Sequence, residues 1–298
     1  MKRYMNLKTV LTSVLLLLGT ITQVKAQSNE KFEGEITFET YENYSDIFKK
    51  MPNSIYFDGV HKQRMILKGN RMHLIDETTK CHIIADNATL QTVLNGGKSN
   101  EYGYVHYCDL TKTGLNSTKM ISDVAFLRKQ DKSGGSISEY TFDKTDKVET
   151  IADVTCSLYQ GNIKHSYGGM DLNVMLHAYL SDIVAPEGYT WSLWGLQLPN
   201  IAMKWIMKYD GGHVSALGTG EISFYMEADV INVQPRKVSD DEFEIPSDYK
   251  IVKAGNPFSM MKYYKNIKSE LEKAGIKGGD NSQKSTGVHY KTDGEWDF

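Results

Sequence analysis

From Glu221 to Val230 the side chains alternate without a break. Ile222, Phe224, Met226, Ala228 and Val230 fall on one side, and Glu221, Ser223, Tyr225, Glu227 and Asp229 on the other. A period of two fits a β-strand with one apolar and one wet face, and it fits no helix. The phase then slips: Ile231 and Val233 are apolar where polar residues fall due, which predicts a bulge or strong bend near Val230. Further on, Phe243-Glu-Ile245-Pro246 predicts a short clip that returns the chain to the sheet edge, with Pro246 ending the pairing.

The same alternation recurs along the chain. Phe32, Gly34, Ile36 and Phe38 alternate with acids and Thr37, and Met170 to Leu180 places an apolar residue at every second position. Ile201, Met203, Trp205, Met207 and Tyr209 form a third such stripe, with Lys204 and Lys208 directed outward. Shorter strands are expected at 63–69 and 70–76, at 80–85 and 88–94 with a turn at Asp86-Asn87, and at 102–108, 137–143, 148–151 and 154–160. A meander of antiparallel strands needs only these short connections. Each one-sided strand then needs helices or a second sheet as cover.

Helical spacing is rarer. A short helix is expected over 43–51, ended by Pro52. Ser117 or Thr118 can cap a second, with Met120, Ile121, Val124, Ala125 and Leu127 as its stripe. Asn256-Pro257 opens a last one, striped by Met260, Tyr264, Ile267, Leu271 and Ala274 and stopped by Gly275. Residues 276–298, rich in Gly, Ser, Lys and Asp, read as a disordered tail.

The segment 185–199 between two long strands carries Tyr189, Trp191, Leu193, Trp194 and Leu196, too apolar for a solvated loop. It reads as a plug, a lid or a contact surface, and a core-closing cap is the plain alternative.

Residues 1–26 have a positive start at Lys2, Arg3 and Lys8, an apolar run around 14–18 and Val24-Lys25-Ala26 as a cleavage site, the pattern of a secretory signal peptide. No later run is apolar for long enough to span a bilayer, so a soluble periplasmic or extracellular protein without a lipoprotein cysteine is expected. Without the leader's four bases the 34 Lys and Arg fall to 30 against all 37 acids, a net charge of −7. That acidity argues against a nucleic-acid partner and gives no pull toward an anionic membrane. The expected division is 1–26 leader, 27–255 one β-domain, 256–275 a C-terminal amphipathic helix and 276–298 tail.

Cys81, Cys108 and Cys156 are the only cysteines. In an exported protein they allow one disulfide with an odd thiol, Cys81 and Cys108 being the candidates to meet, or three unpaired buried thiols. Met72-His73, Cys81-His82 and His106-x-Cys108 bring soft and imidazole ligands to neighbouring strands, a mixture suited to copper or zinc. Neighbouring residues on a strand point to opposite faces, so no metal site is assigned. No His-Glu-x-x-His, Gly-x-Ser-x-Gly, phosphate-binding loop or Cys-x-x-Cys occurs, and no cofactor or catalytic residue is expected.

Val148-Glu-Thr-Ile-Ala-Asp-Val-Thr-Cys-Ser-Leu-Tyr159, Gly195-Leu-Gln-Leu198 and Phe243-Glu-Ile-Pro-Ser-Asp-Tyr249 resemble, in order, three short motifs of a family of exported Bacteroidetes proteins of unknown function. Ala152-Asp153, Gln197 and Asp248 depart from those motifs. That family is thought similar in fold to the LolA and LppX lipoprotein carriers. The resemblance implies a mostly β, α+β chain: a curved antiparallel half-barrel, LolA-like, with a few covering helices. It further implies a non-enzymatic protein that binds an apolar ligand, a lipid or an acylated protein. The lining expected on that basis is Tyr189, Trp191, Trp194, Leu196, Met203, Trp205, Phe224 and Met226. The alternatives are an envelope interaction or scaffold module with a filled core, and a metal-binding protein using the His, Cys and Met residues.

Overall fold

The computed structural model describes residues 30–44, 59–94, 97, 102–118, 135–167, 170–191, 196–213, 221–254 and 257–276, with backbone only at 135–140, 163–172, 190–197, 210–213, 221–222 and 257–258. The expected leader, the tail and most of the expected helices at 43–51 and after Ser117 lie outside these residues. All the elements fall in one unit, Phe32–Phe298.

The chain is mostly β. Its strands are β1 (Gly34–Tyr44), β2 (Gly59–Lys68), β3 (Arg71–Asp76), β4 (Cys81–Asp86), β5 (Tyr104–Cys108), β6 (Thr113–Asn116) and β7 (Gly135–Ile151). There follow β8 (Val154–Tyr167), β9 (Met170–Val184), the short β10 (Thr190–Trp191) and β11 (Leu196–Gln197), β12 (Asn200–His213), β13 (Glu221–Pro235) and β14 (Lys250–Lys253). Two helices are described, α1 (Asn87–Leu94) and α2 (Pro257–Lys273). Twelve strands make one curved, unclosed sheet in the order β14-β6-β5-β4-β3-β2-β1-β13-β12-β9-β8-β7. It consists of two meanders, β1–β6 and β7–β13, joined where β1 pairs with β13.

The phase slip of β13 is a bulge. Thr37 faces Asn232 and Phe38 faces Val230, so Ile231 is the extra residue, and it is 54% exposed. The slip lets Val230 and Val233 both pack on the inner face with Ile36 and Phe38.

Several expectations are corrected. Residues 88–94 form helix α1 rather than a strand, because the Asp86 carboxylate accepts the Thr89 N–H at 2.7 Å as a helix cap. Residues 137–143 and 148–151 belong to the single strand β7, which absorbs its irregular stretch as a register shift between Lys144 and Val148. Asn43 and Tyr44 end β1 rather than begin a helix. Lys204 points to the outer face as expected, yet it is only 6% exposed there, bonded to Glu227 at 3.1 Å and Asp229 at 3.3 Å. Opposite charges meeting across the β12–β13 ladder offset the desolvation of that lysine.

Helix α2 is not a separate appendage: Tyr263, Ile267 and Leu271 bury against Cys81, Cys108 and Leu115 on the inner face of β4–β6. It ends as read, with Gly275 at φ 75°, the Ile276 N–H on the Leu271 carbonyl at 2.9 Å and the Gly275 N–H on the Glu272 carbonyl at 3.1 Å.

The expected clip crosses the outer face before pairing, so the edge contact begins beyond Pro246 rather than ending there. Val238 and Phe243 bury against Ile66, and Ile245 and Tyr249 pack on Ile84, Val105 and Tyr107. A 3-10 turn at Asp240–Phe243, capped by Ser239 and Glu242, fixes its path, and the Arg236 guanidinium grips Glu242 at 2.6 and 2.7 Å. The chain then forms β14, which pairs parallel to β6. Among the described residues no helix is long and apolar enough to cross a membrane.

Candidate functional site

The inner face of the sheet carries the largest apolar cluster. Its centre is built by alternate residues of four adjacent strands: Ile36 and Phe38 of β1, Ala228 and Val230 of β13, Trp205 and Met207 of β12, and Leu176 and Ala178 of β9. Ladder pairing sets these side chains in rows, with Trp205 between Ala228 and Ala178, and Met207 between Met226 and Leu176.

Beside these rows lies a niche of about 10 Å³, room for about one water molecule, lined by Ile36, Phe38, Met65, Tyr189, Ala202, Trp205 and Val230. It is far smaller than the roughly 300–1,000 Å³ of drug-sized ligand pockets, so a ligand on this face needs the niche to widen.

Of the expected lining residues, Tyr189 and Trp205 line the niche, and Met203, fully buried, lies beside it where the β9–β12 ladder shifts register. Phe224 and Met226 are half-buried further along the same face, the Phe224 ring 5.8 Å from that of Tyr209. Trp191 and Leu196 pair with each other in the β10–β11 hairpin, their side chains outside the described residues. Trp194 lies wholly outside them. Ile36, Phe38, Met65, Ala202 and Val230 were missed as lining. The alternation of Ile36, Phe38 and Val230 was legible, but not that β1 lies beside β13, and Ala202 falls out of phase with the stripe of its own strand through the register shift before Lys204.

The apolar loop beginning at Ala185 straps one end of this face. The Gly188 N–H donates to the Gly69 carbonyl at 2.7 Å, and Asn87 Nδ2 donates to the Glu187 carbonyl at 3.3 Å, so the loop leaving β9 reaches the β2–β3 turn. Gly188 is required there: a Cβ would sit 2.6 Å from the Arg71 carbonyl oxygen. The Tyr189 hydroxyl accepts the Ala202 N–H at 3.1 Å, tying the strap to β12 above the niche.

The other end of the inner face is polar. Tyr44 Oη donates to Glu42 at 2.7 Å, and His61 Nδ1 lies 3.1 Å from an Asp76 carboxylate oxygen. Burial pushes the Glu42 carboxyl up, against the pull of His61. Burial would raise Asp76 too, but the hydrogen bond and charge of His61 outweigh it and hold that carboxyl low. The signal was present in β1: its inward phase continues from Phe38 through Thr40 to Glu42, polar residues on the apolar side.

The expected copper or zinc ligands are divided by the sheet. His73 and His82 face outward, whereas Met72, Cys81, His106 and Cys108 face inward. Among the described residues no group of three or more His, Cys, Asp or Glu could hold a metal ion. The outward histidines fasten the clip instead. His73 Nδ1 donates to the Glu242 carbonyl at 2.7 Å, its Nε2 lies 3.1 Å from both His82 Nδ1 and the Tyr107 hydroxyl, and His82 stacks on Tyr107. His82 Nε2 then meets Asp109 at 3.3 Å, and Tyr249 of the clip donates to Asp109 at 2.5 Å. Burial lowers His73 to about 4, keeping it neutral in this chain of bonds.

No protein-family model matches the chain, and no curated protein is similar to it. The reading of the site rests on its geometry.

Proposed function

We propose that this is an exported, non-enzymatic protein of the periplasm or extracellular space, a half-barrel of the LolA type that binds an apolar ligand on its inner face. The ligand class is a lipid or an acylated protein. One observation carries the proposal: the sheet is unclosed, and its inner face presents Phe224 and Met226, only half-buried, in line with an apolar niche. The strap at Tyr189 supports it, covering the niche with a hydrogen-bonded loop. Buried His61 with half-buried Glu42 and Asp76 at the opposite end suits a ligand with a polar head.

Native mass spectrometry of protein purified from the cell envelope tests this directly, with co-purifying lipid expected. An acyl-chain fluorophore added to the delipidated protein gives the second readout. Ala202→Phe fills the niche and is expected to weaken probe binding about tenfold, since a misfit group in a packed site costs roughly 1–3 kcal/mol. If neither lipid nor probe binds, the inner face is an ordinary core and the protein serves as an envelope interaction module.

A further inference from the structure

Three cysteines are present as free, buried thiols, and two of them face each other. Cys81 of β4 stands directly opposite Cys108 of β5. The ladder bonds run from the Asp109 N–H to the Lys80 carbonyl at 3.0 Å and from the Asp86 N–H to the Gly103 carbonyl at 2.9 Å. In that phase Cys81 and Cys108 are a non-hydrogen-bonded pair, the closer of the two kinds, with Cα atoms about 4.5 Å apart. A disulfide spans Cα separations of roughly 4.4–6.8 Å, so closure needs little backbone movement. Cys156 is on β8 in the other meander, opposite Glu149, and cannot compete.

The surroundings give the two sulfurs different roles. The neighbouring Cys81 sulfur and the backbone N–H groups of Leu110 and Thr111 lower Cys108 to about 7, while Cys81, whose thiol donates to the Thr79 carbonyl at 3.6 Å, is pushed up by its neighbour Cys108 and by burial. Cys108 is thus the thiolate of the pair and the attacking atom. Both sulfurs lie beneath Tyr263, Ile267 and Leu271 of α2, so an oxidant reaches them only when that helix lifts.

We propose that Cys81 and Cys108 form a reversible redox site, gated by α2, that takes a disulfide bond from a disulfide donor by thiol–disulfide exchange. The Cys108 thiolate attacks one sulfur of the donor R–S–S–R, forms a mixed disulfide and releases the first thiolate, RS⁻. Cys81 gives up its proton, its sulfur attacks that of Cys108, and the second RS⁻ leaves. Both leaving groups are protonated, so two Cys–SH and R–S–S–R become one Cys–S–S–Cys and two R–SH. This inference is independent of apolar ligand binding on the same sheet.

The test uses the full chain, reduced, then incubated at neutral pH with oxidised glutathione, unfolded in acid and alkylated. Peptide mass spectrometry is expected to show a Cys81–Cys108 bridge and alkylation of Cys156 alone. Cys81→Ser is expected to stop at glutathione on Cys108, and Cys108→Ser to react about tenfold or more slowly. Leu271→Ala, which loosens α2, is expected to speed bridging of the wild-type pair. Alkylation of all three cysteines after oxidation overturns the proposal, as does glutathione found chiefly on Cys156. Oxidation no faster with α2 loosened overturns the gating.

Discussion

His106 ties α2 to the sheet, and its protonation is the sharpest handle on that contact. Its Nδ1 donates to the Tyr263 hydroxyl at 2.9 Å while that hydroxyl donates to the His106 carbonyl at 2.9 Å, so the neutral ring fits the site. Burial lowers the imidazole from 6.5 to about 4. The unfolded chain therefore binds this proton at a higher pH than the folded protein. Stability contributed by the neutral ring is complete above pH 6.5, falls as the pH drops toward 4 and is lost below it. The interval corresponds to roughly 3 kcal/mol. His106→Gln keeps an N–H for Tyr263 and removes the titration. Urea unfolding followed by tryptophan fluorescence, in steps from pH 7 to pH 4, is expected to show the wild type losing roughly 3 kcal/mol more than the variant. In thermal scans this is a relative shift of about 6–12 °C for a domain of this size. His73, lowered by its own burial, and Glu42 and Glu227, raised by theirs, occur in both proteins and cancel in the difference. Parallel stability curves for the two proteins would refute the assignment of a buried neutral imidazole to this contact.

Other consequences of the packing are open to direct measurement. The β7–β8 turn places Ala152 at φ 47° and Asp153 at φ 63°, a left-handed pair that suits Asn-Gly, so Ala152→Asn with Asp153→Gly should add about 1 kcal/mol in urea titrations. Lys204→Met strands the buried Glu227 beside Asp229 and should cost about 3–5 kcal/mol, with much of the loss restored by adding Glu227→Gln; an unchanged denaturation midpoint for the single variant would show the pair to be solvated. Gly188→Ala pushes the strap off the Arg71 backbone and should raise hydrogen exchange at the Gly188 and Ala202 amides, whereas exchange at wild-type levels would mean the loop is not anchored there.

What could be read from the chain was whatever one strand or one helix decides alone. The alternation and slip of β13 located the Ile231 bulge, and the stripe and stop of α2 gave its buried face, because both follow from local periodicity. Helix α1 was hidden because Asp86-Asn87 serves equally as a hairpin turn and a helix start, and the choice lies with the Thr89 N–H. The burial of Lys204 on the outer face was not legible because its charge is neutralised by residues more than twenty positions away. The niche was half legible for a similar reason. Tyr189 and Trp205 stand out as aromatic residues on or beside a clear strand, whereas Ile36, Phe38 and Met65 join them only through the pairing of distant β1.

The β1–β13 seam also governs how such a chain can assemble. Gly34 pairs with Pro235 and Tyr44 with Phe224, so the contact that unites the sheet closes a loop of nearly the whole domain. Neighbouring strands within each meander are joined locally and can form early; the seam carries most of the loop-closure entropy and is the natural rate-limiting step. Until it closes, β1 and β13 are both open edges bearing Ile36, Phe38, Phe224 and Met226, the kind of strand that captures other chains. During synthesis the first meander must therefore wait, with β1 unpaired on one side, until β13 has emerged.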